Sequence, residues 1–288
     1  MSDISVIIPV YNAERVLRRC LDSIKAQTFL SWTAVCVDDG STDSSPAILD
    51  GYAAEDSRFV VLHKTNGGVG AARNAALPYV DGKYVLYVDS DDFLHPQTME
   101  ICFHFASTAD ADIVAFTYDR KFRTISTVRN FLRLPDKKIT SFSSYDIRSI
   151  EALVTDDIWS YATEYSVPDR WAVKHCQPWR CLYRSGLVRE VPFLEGVIYE
   201  DFPWWSEILL GVRKAVILNL PLYYYYPSFA GYIMSSGQQK RIESLRKCLS
   251  YADARMKAKA SGRQYECWER NFRNPFFEKF QKKSKRYG

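Results

Sequence analysis

The stretch Tyr84-Val85-Leu86-Tyr87-Val88-Asp89-Ser90-Asp91-Asp92 decides how this chain is read. Five apolar, aromatic or β-branched residues shortly after Gly82 read as a strand buried on both faces, and three carboxylates emerge where that strand must end. In an open α/β sheet, ligands bind beyond the carboxyl ends of the strands. Carboxylate oxygens are natural ligands of a hard divalent cation such as Mg²⁺ or Mn²⁺. The run therefore points to a metal and a phosphorylated ligand. A plainer reading stands beside it: Asp and Ser are good N-caps, Pro96 can open a helix, and Met99, Cys102 and Phe105 would line it. A cap needs one carboxylate, however, and three within four residues repel one another unless a cation or donor groups compensate.

Upstream, residues 4–10 are a compact apolar run closed by Pro9, Tyr11 and Asn12, a first strand running into a loop. Val16, Leu17, Cys20, Leu21 and Ile24 then recur at helical spacing, with Arg15, Arg18, Arg19 and Lys25 expected on the opposite side. Residues 33–37 form a second strand that ends in Asp38-Asp39-Gly40-Ser41-Thr42-Asp43, followed by a helix to residue 54. After a third strand at residues 59–62 comes Asn66-Gly67-Gly68-Val69-Gly70-Ala71-Ala72-Arg73-Asn74-Ala75. Glycines that open a helix let the backbone approach a phosphate and aim free N–H groups at it. A dinucleotide fingerprint is disfavoured, because Arg73 replaces the third small residue and the element follows the third strand rather than the first. Arg73 reads better as a contact to a diphosphate or base.

With a further strand at residues 112–118, strand and helix alternate five times, which predicts an α/β fold with a largely parallel sheet and right-handed crossovers. The acidic and glycine-rich loops after strands two, three and four would then open on one edge. Beyond Tyr118 the alternation stops. Residues 120–145 are mixed and basic, residues 146–154 read as helical, and Trp159, Trp171 and Trp179 follow. Glu200-Asp201 leads into an apolar helix through Leu210, where two acids can also be a plain cap and dipole partner. Residues 212–222 read as a strand, and from Gln238 the chain reads as a basic, mainly helical appendix.

The 288 residues are 47% hydrophobic and 25% charged, ordinary globular composition, with aromatics high at 15%. Seven cysteines without a C-x-x-C pair read as reduced core thiols, and four scattered histidines form no zinc constellation. No apolar run spans a bilayer and the N-terminus lacks a basic n-region and cleavage site, so the expected location is the cytoplasm. The net charge of +4 hides an asymmetry: 15 basic against 5 acidic residues from Lys240 onward, and 23 against 29 before it. Lys279, Lys282, Lys283, Lys285 and Arg286, beside Phe276, Phe277 and Phe280, suit either a solvated end or peripheral contact with the anionic inner face of a membrane.

Taken together, Ser5–Asn12, Val37–Asp43, Asn66–Asn74, Tyr84–Asp92 and Tyr199–Asp201 resemble the inverting family-2 glycosyltransferases of the GT-A fold, in their bacterial polysaccharide and lipopolysaccharide branch. The likeness is strong over residues 3–115, moderate to residue 226 and absent from the tail. It implies a GT-A type nucleotide-binding half (1–118), an acceptor-binding and catalytic-base half (119–226) and a helical appendix (227–288), with a mixed, mainly parallel sheet. It also implies a nucleotide-sugar donor, most often a UDP-sugar, and a saccharide or lipid-linked saccharide acceptor; nucleic acid is not an expected partner. Pro9 and Tyr11 would line the base pocket, and Asp39, with Asp38 as second candidate, would accept from the uracil imide. Arg73 would sit by the base and diphosphate. Asp89 would face the ribose beside Ser90, and Asp91, assisted by Asp89, would hold Mn²⁺ or Mg²⁺. Asp201 would be the general base, with Glu200 as the substitute, and Trp179 would offer a flat face to a sugar unless it is core. The contrasting reading is a non-catalytic nucleotide-binding or assembly protein on the same fold; the presence of both Asp91 and Asp201 speaks against it.

Overall fold

The computed structural model describes residues 2–119, 144–159, 161, 177–226 and 237–278. Four strands, β1 (Ile4–Val10), β2 (Trp32–Asp38), β3 (Phe59–His63) and β4 (Tyr84–Tyr87), pair in parallel in the order β3-β2-β1-β4. Their apolar runs are continuous because both faces are covered. Ile4, Val6 and Ile8 pack on one side with α1 (Leu17–Lys25), α2 (Ser45–Glu55) and α4 (Thr98–Ala109), whereas Ile7, Val35, Val37 and Val85 pack on the other with α3 (Val69–Ala76).

Beyond β4 the sheet departs from the predicted alternation. The strand that follows α4, β6 (Ile113–Asp119), does not lie beside β4. Cys181–Arg184 (β8) inserts between them, antiparallel to both, so β6 keeps the direction of β4. β9 (Ala215–Tyr224) pairs in parallel with β6, and β5 (Phe93–Leu94) and β7 (Ala152–Thr155) pair antiparallel with β9. The sheet is thus mixed: parallel on one side, and on the other interrupted by strands returning from later in the chain. The helix expected at residues 146–154 is not formed. A single turn at Ile147–Ser149 leads into β7, whose Val154 and Thr155 suit an edge pairing with β9 better than a free helix. The stretch 120–143 and the basic end from Lys279 lie outside the described residues.

Downstream, α5 (Ser185–Glu190) and α6 (Asp201–Gly211) cover the second face, and the appendix packs on α6 instead of trailing. In α7 (Gln238–Lys259), Leu245, Cys248, Ala252 and Met256 are buried, as are Cys267 and Trp268 in α8 (Gly262–Trp268). Glu207 of α6 accepts from Arg255 and Lys259, and Trp268 Nε1 donates to Ser206 Oγ at 2.9 Å. Six cysteines, Cys20, Cys36, Cys102, Cys181, Cys248 and Cys267, are free and buried, in line with reduced core thiols. Among the described residues no helix is long and apolar enough to cross a membrane.

Candidate active site

The carboxyl ends of β1, β2, β3, β4, β6 and β9 share one edge, and the loops singled out in the sequence open there. At the end of β2 the two candidate aspartates take different roles. Asp39, 3% exposed, accepts at Oδ1 from Lys64 Nζ at 2.6 Å and the Gly67 N–H at 2.9 Å, and at Oδ2 from the Gly68 N–H at 2.7 Å. It joins the β2 loop to the start of α3, where Gly68 sits at φ 89°, a conformation costly for any other residue. Asp38 turns into its own loop, accepting from the Ser41 N–H at 3.0 Å, and His63 bridges it to Asp50 at 3.0 and 3.1 Å. The hydrogen bonds to Asp38 and then Asp50 raise the pKa of His63. Pro9 is buried in β1, and Tyr11 stands 47% exposed beyond it.

At the end of β4 the carboxylates divide again. Asp92 is fully buried and structural: Tyr223 Oη donates to its Oδ2 at 2.6 Å and the Tyr226 N–H to its Oδ1 at 2.7 Å. The same Tyr223 hydroxyl accepts the Asp89 N–H at 3.2 Å, so the turn is fastened to the end of β9. Ser90 and Asp91 lie half-buried on that turn. Burial first, and then the charge of Asp89, push the Asp91 carboxyl up to about 7. A carboxyl raised by a like charge marks a place where a cation would be stabilised. Among the described residues no three His, Cys, Asp or Glu side chains converge into a metal cage. One or two carboxylates are nevertheless what Mg²⁺ or Mn²⁺ takes from a protein when phosphate oxygens and water supply the rest, so Asp91 and Asp89 fit such an ion.

The third acidic pair is reached through α3. Arg73, 4% exposed, donates from Nη2 to Asp89 at 3.0 Å and from Nη1 to Glu200 at 2.8 Å, across 127 residues of sequence. Its guanidinium also lies 5.0 Å from the Phe193 ring centroid. The next residue, Asn74, clamps the loop before α6, donating to the Phe193 carbonyl at 2.9 Å and accepting the Phe193 N–H at 2.8 Å. The approach is close enough that a Cβ on Gly70 would meet the Leu194 carbonyl at 3.1 Å and Glu200 Cγ at 3.4 Å. Burial pushes the Glu200 carboxyl up against the opposing charge of Arg73. Asp201 follows as the first residue of α6, half-buried, and Tyr199 before the pair holds a left-handed φ of 73° that a non-glycine residue adopts only under constraint.

Trp179 is buried in an aromatic stack, 4.3 Å from the Tyr223 ring and 5.9 Å from Tyr225, so its core role is the one on view. The structure thus joins Arg73, Asp89 and Glu200 directly, ties Asp39 to the same helix, and sets Asp91 and Asp92 on one turn. Sequence reasoning missed Asn74, the Tyr223–Asp92 clamp and Arg19, which was grouped with Arg15, Arg18 and Lys25 on the side opposite the apolar residues. Arg19 instead donates from Nη2 to the Asp91 carbonyl at 2.7 Å. The alternation of Tyr223 and Tyr225 at a strand end was a signal for the clamp; nothing in the periodicity of α1 separates Arg19 from its neighbours.

Known proteins resemble this chain in sequence and in fold. The chain is 32% identical over 222 residues to the glycosyltransferase GlyA of Streptococcus pneumoniae, a match spanning 77% of this chain and 30% of that protein. It is 30% identical over 225 residues to the glycosyltransferase YibD of Escherichia coli, spanning 77% and 61%. The chain thus spans less than two thirds of either relative. A crystal structure of S. aureus TarS in complex with UDP-GlcNAc superposes with a TM-score of 0.69 at 21% identity, covering 91% of this chain and 68% of that one, which shows the GT-A fold. Residues 5–166 match the model of glycosyl transferase family 2, and the chain belongs to that family.

Proposed function

We propose that this protein is a metal-dependent, inverting glycosyltransferase that moves a sugar from a nucleotide-sugar donor, a UDP-sugar by preference, to a hydroxyl of a saccharide or lipid-linked saccharide in bacterial cell-surface polysaccharide synthesis. The observation that carries the reading is the Asp89–Arg73–Glu200 chain of ion pairs, which sets the base-bearing start of α6 against the loops of the donor edge. The UDP-GlcNAc bound to TarS supports the choice of donor.

Tyr11 offers an exposed ring to the nucleobase. Asp39 has one acceptor position left beside its three protein donors, which suits the uracil imide. Asp89 faces the ribose, with Ser90 beside it. Asp91, with Asp89, would hold Mn²⁺ or Mg²⁺, which supplies Lewis-acid neutralisation of the leaving diphosphate. Asp201, the first residue of α6, takes the proton of the acceptor hydroxyl, while Glu200 beside it pairs with Arg73. The acceptor oxygen forms the new bond to the anomeric carbon as the bond to the diphosphate oxygen breaks on the opposite face. Configuration therefore inverts, and no covalent enzyme intermediate is needed. The basic end of the chain would bring a lipid-linked acceptor's membrane within reach.

The test is release of UDP from a panel of UDP-sugars, with and without Mn²⁺ and with saccharide acceptors. Asp201→Asn is expected to lose about 10²–10⁴ of kcat while UDP affinity is kept, and Asp91→Ala to lose the metal dependence. Tight, metal-dependent UDP binding with no turnover of any donor under any acceptor would favour the non-catalytic reading instead.

A further inference from the structure

Arg19 does not belong to the loops that the family reading uses. It projects from α1, its Nη2 donating to the Asp91 carbonyl at 2.7 Å. Its guanidinium carbon lies 3.8 Å from the centroid of Tyr226 and 5.0 Å from that of Phe93. Both rings belong to the frame of the acidic turn. Phe93 follows Asp92 directly and stacks on Tyr224 at 4.9 Å, and the Tyr226 N–H is one of the two donors to the Asp92 carboxylate. Arg19 thus touches the main chain of the turn at Asp91, two residues after the ribose-facing Asp89 and immediately before the structural Asp92.

We propose that Arg19 is a positioning residue for the Asp91 turn: seated against Tyr226 and Phe93, it fixes the Asp91–Asp92 peptide plane and so aims the Asp91 carboxylate at the divalent cation. The inference rests on the metal reading of Asp91 given above. The bond goes to the carbonyl rather than the carboxylate, so the side chain that the cation needs is not consumed. The geometry calls for arginine specifically. A planar guanidinium bonds in its plane while stacking on an aromatic face, whereas an ammonium keeps the charge but not that arrangement. Groups that orient a ligating residue without touching the ion commonly control its affinity by about ten- to a hundred-fold.

The experiment is calorimetric binding of UDP to the full chain with and without Mn²⁺, for wild type, Arg19→Lys and Arg19→Met, with thermal melting to verify folding. Both variants should weaken UDP binding in Mn²⁺ about tenfold or more and leave Mn²⁺-free binding unchanged. Wild-type behaviour of Arg19→Lys would overturn the proposal, because charge alone would then suffice; it also decides the matter if Arg19→Met fails to fold. Equal weakening with and without Mn²⁺ would overturn it as well, since the damage would be general. If wild type itself binds UDP without regard to Mn²⁺, the metal reading of Asp91 fails first and takes this inference with it.

Discussion

The donor edge and the helix that carries the proposed base are held in place by different kinds of contact. On the donor edge the loops after β2 and β3 are closed by residues close to them in sequence or one strand away, whereas the acidic turn after β4 is fastened to the distant Tyr223 and Tyr226. Asp39 is held by Lys64, Gly67 and Gly68, and Asp38 by Ser41 and His63. The start of α6 is held from far away: Glu200 by Arg73, the loop before it by Asn74, and the helix by Arg255, Lys259 and Trp268. Local closure makes a loop largely self-sufficient. Remote closure means that the proposed base has a position only when distant parts of the chain are in place, so damage to its supports should reach turnover before it reaches donor affinity.

Arg73 belongs to both regions, and its removal is the severest test of that contrast. Arg73→Met would leave Glu200 and Asp89 without their buried counter-charge. Removing one partner of a buried pair typically costs about 3–5 kcal/mol, and a loss of that order is expected in urea unfolding. A cost near that of a surface pair, under about 1 kcal/mol, would mean that the chain of ion pairs does not tie the two regions together.

Glu207→Gln separates them at smaller scale. Glu207 lies within α6, where it accepts from Arg255 and Lys259 of α7. Weakening those charge-assisted bonds should cost about 1.5 kcal/mol of stability. It should lower kcat while UDP affinity by calorimetry stays at the wild-type value. A drop in UDP affinity equal to the drop in kcat would show that the donor edge leans on the appendix too.

The same contrast explains what the sequence made legible. β1 to β4 and their loops could be read because buried parallel strands are apolar throughout and their ends carry acids or glycines within a few residues. Across the sheet the signal fades. β5 and β8 are two and four residues long and exist only through pairing with distant strands, as does β7, where local pattern suggested a helix. Within each acidic run, the residue types marked the place but not the division of labour. Asp92 is consumed by Tyr223 and Tyr226, Asp38 by His63, and Glu200 by Arg73, and those partners lie up to 134 residues away. Trp179 could be face or core until Tyr223 was seen stacked on it.

The mildest test lies wholly within the donor edge. Protonated His63 donates to Asp38 and Asp50, and its pKa in the folded protein is raised by Asp38 first and Asp50 second. A group whose folded pKa is raised contributes stability that is fully present below its unfolded value, near 6.5 for histidine. That contribution is lost as pH rises through the folded value. The His63 side chain is 45% exposed, so solvent screening keeps the effect below about 1 kcal/mol. Melting temperature compared between wild type and His63→Gln should therefore differ most at the acid end and converge as pH rises, with wild type the more stable. Because Asp38 also holds the Ser41 N–H beside Asp39, UDP affinity of wild type should weaken slightly over the same window, while that of His63→Gln stays flat. A gap between the two proteins that widens with pH would reverse the sign and remove His63 as the brace of the loop; the Ser41 bond alone would then have to hold Asp38.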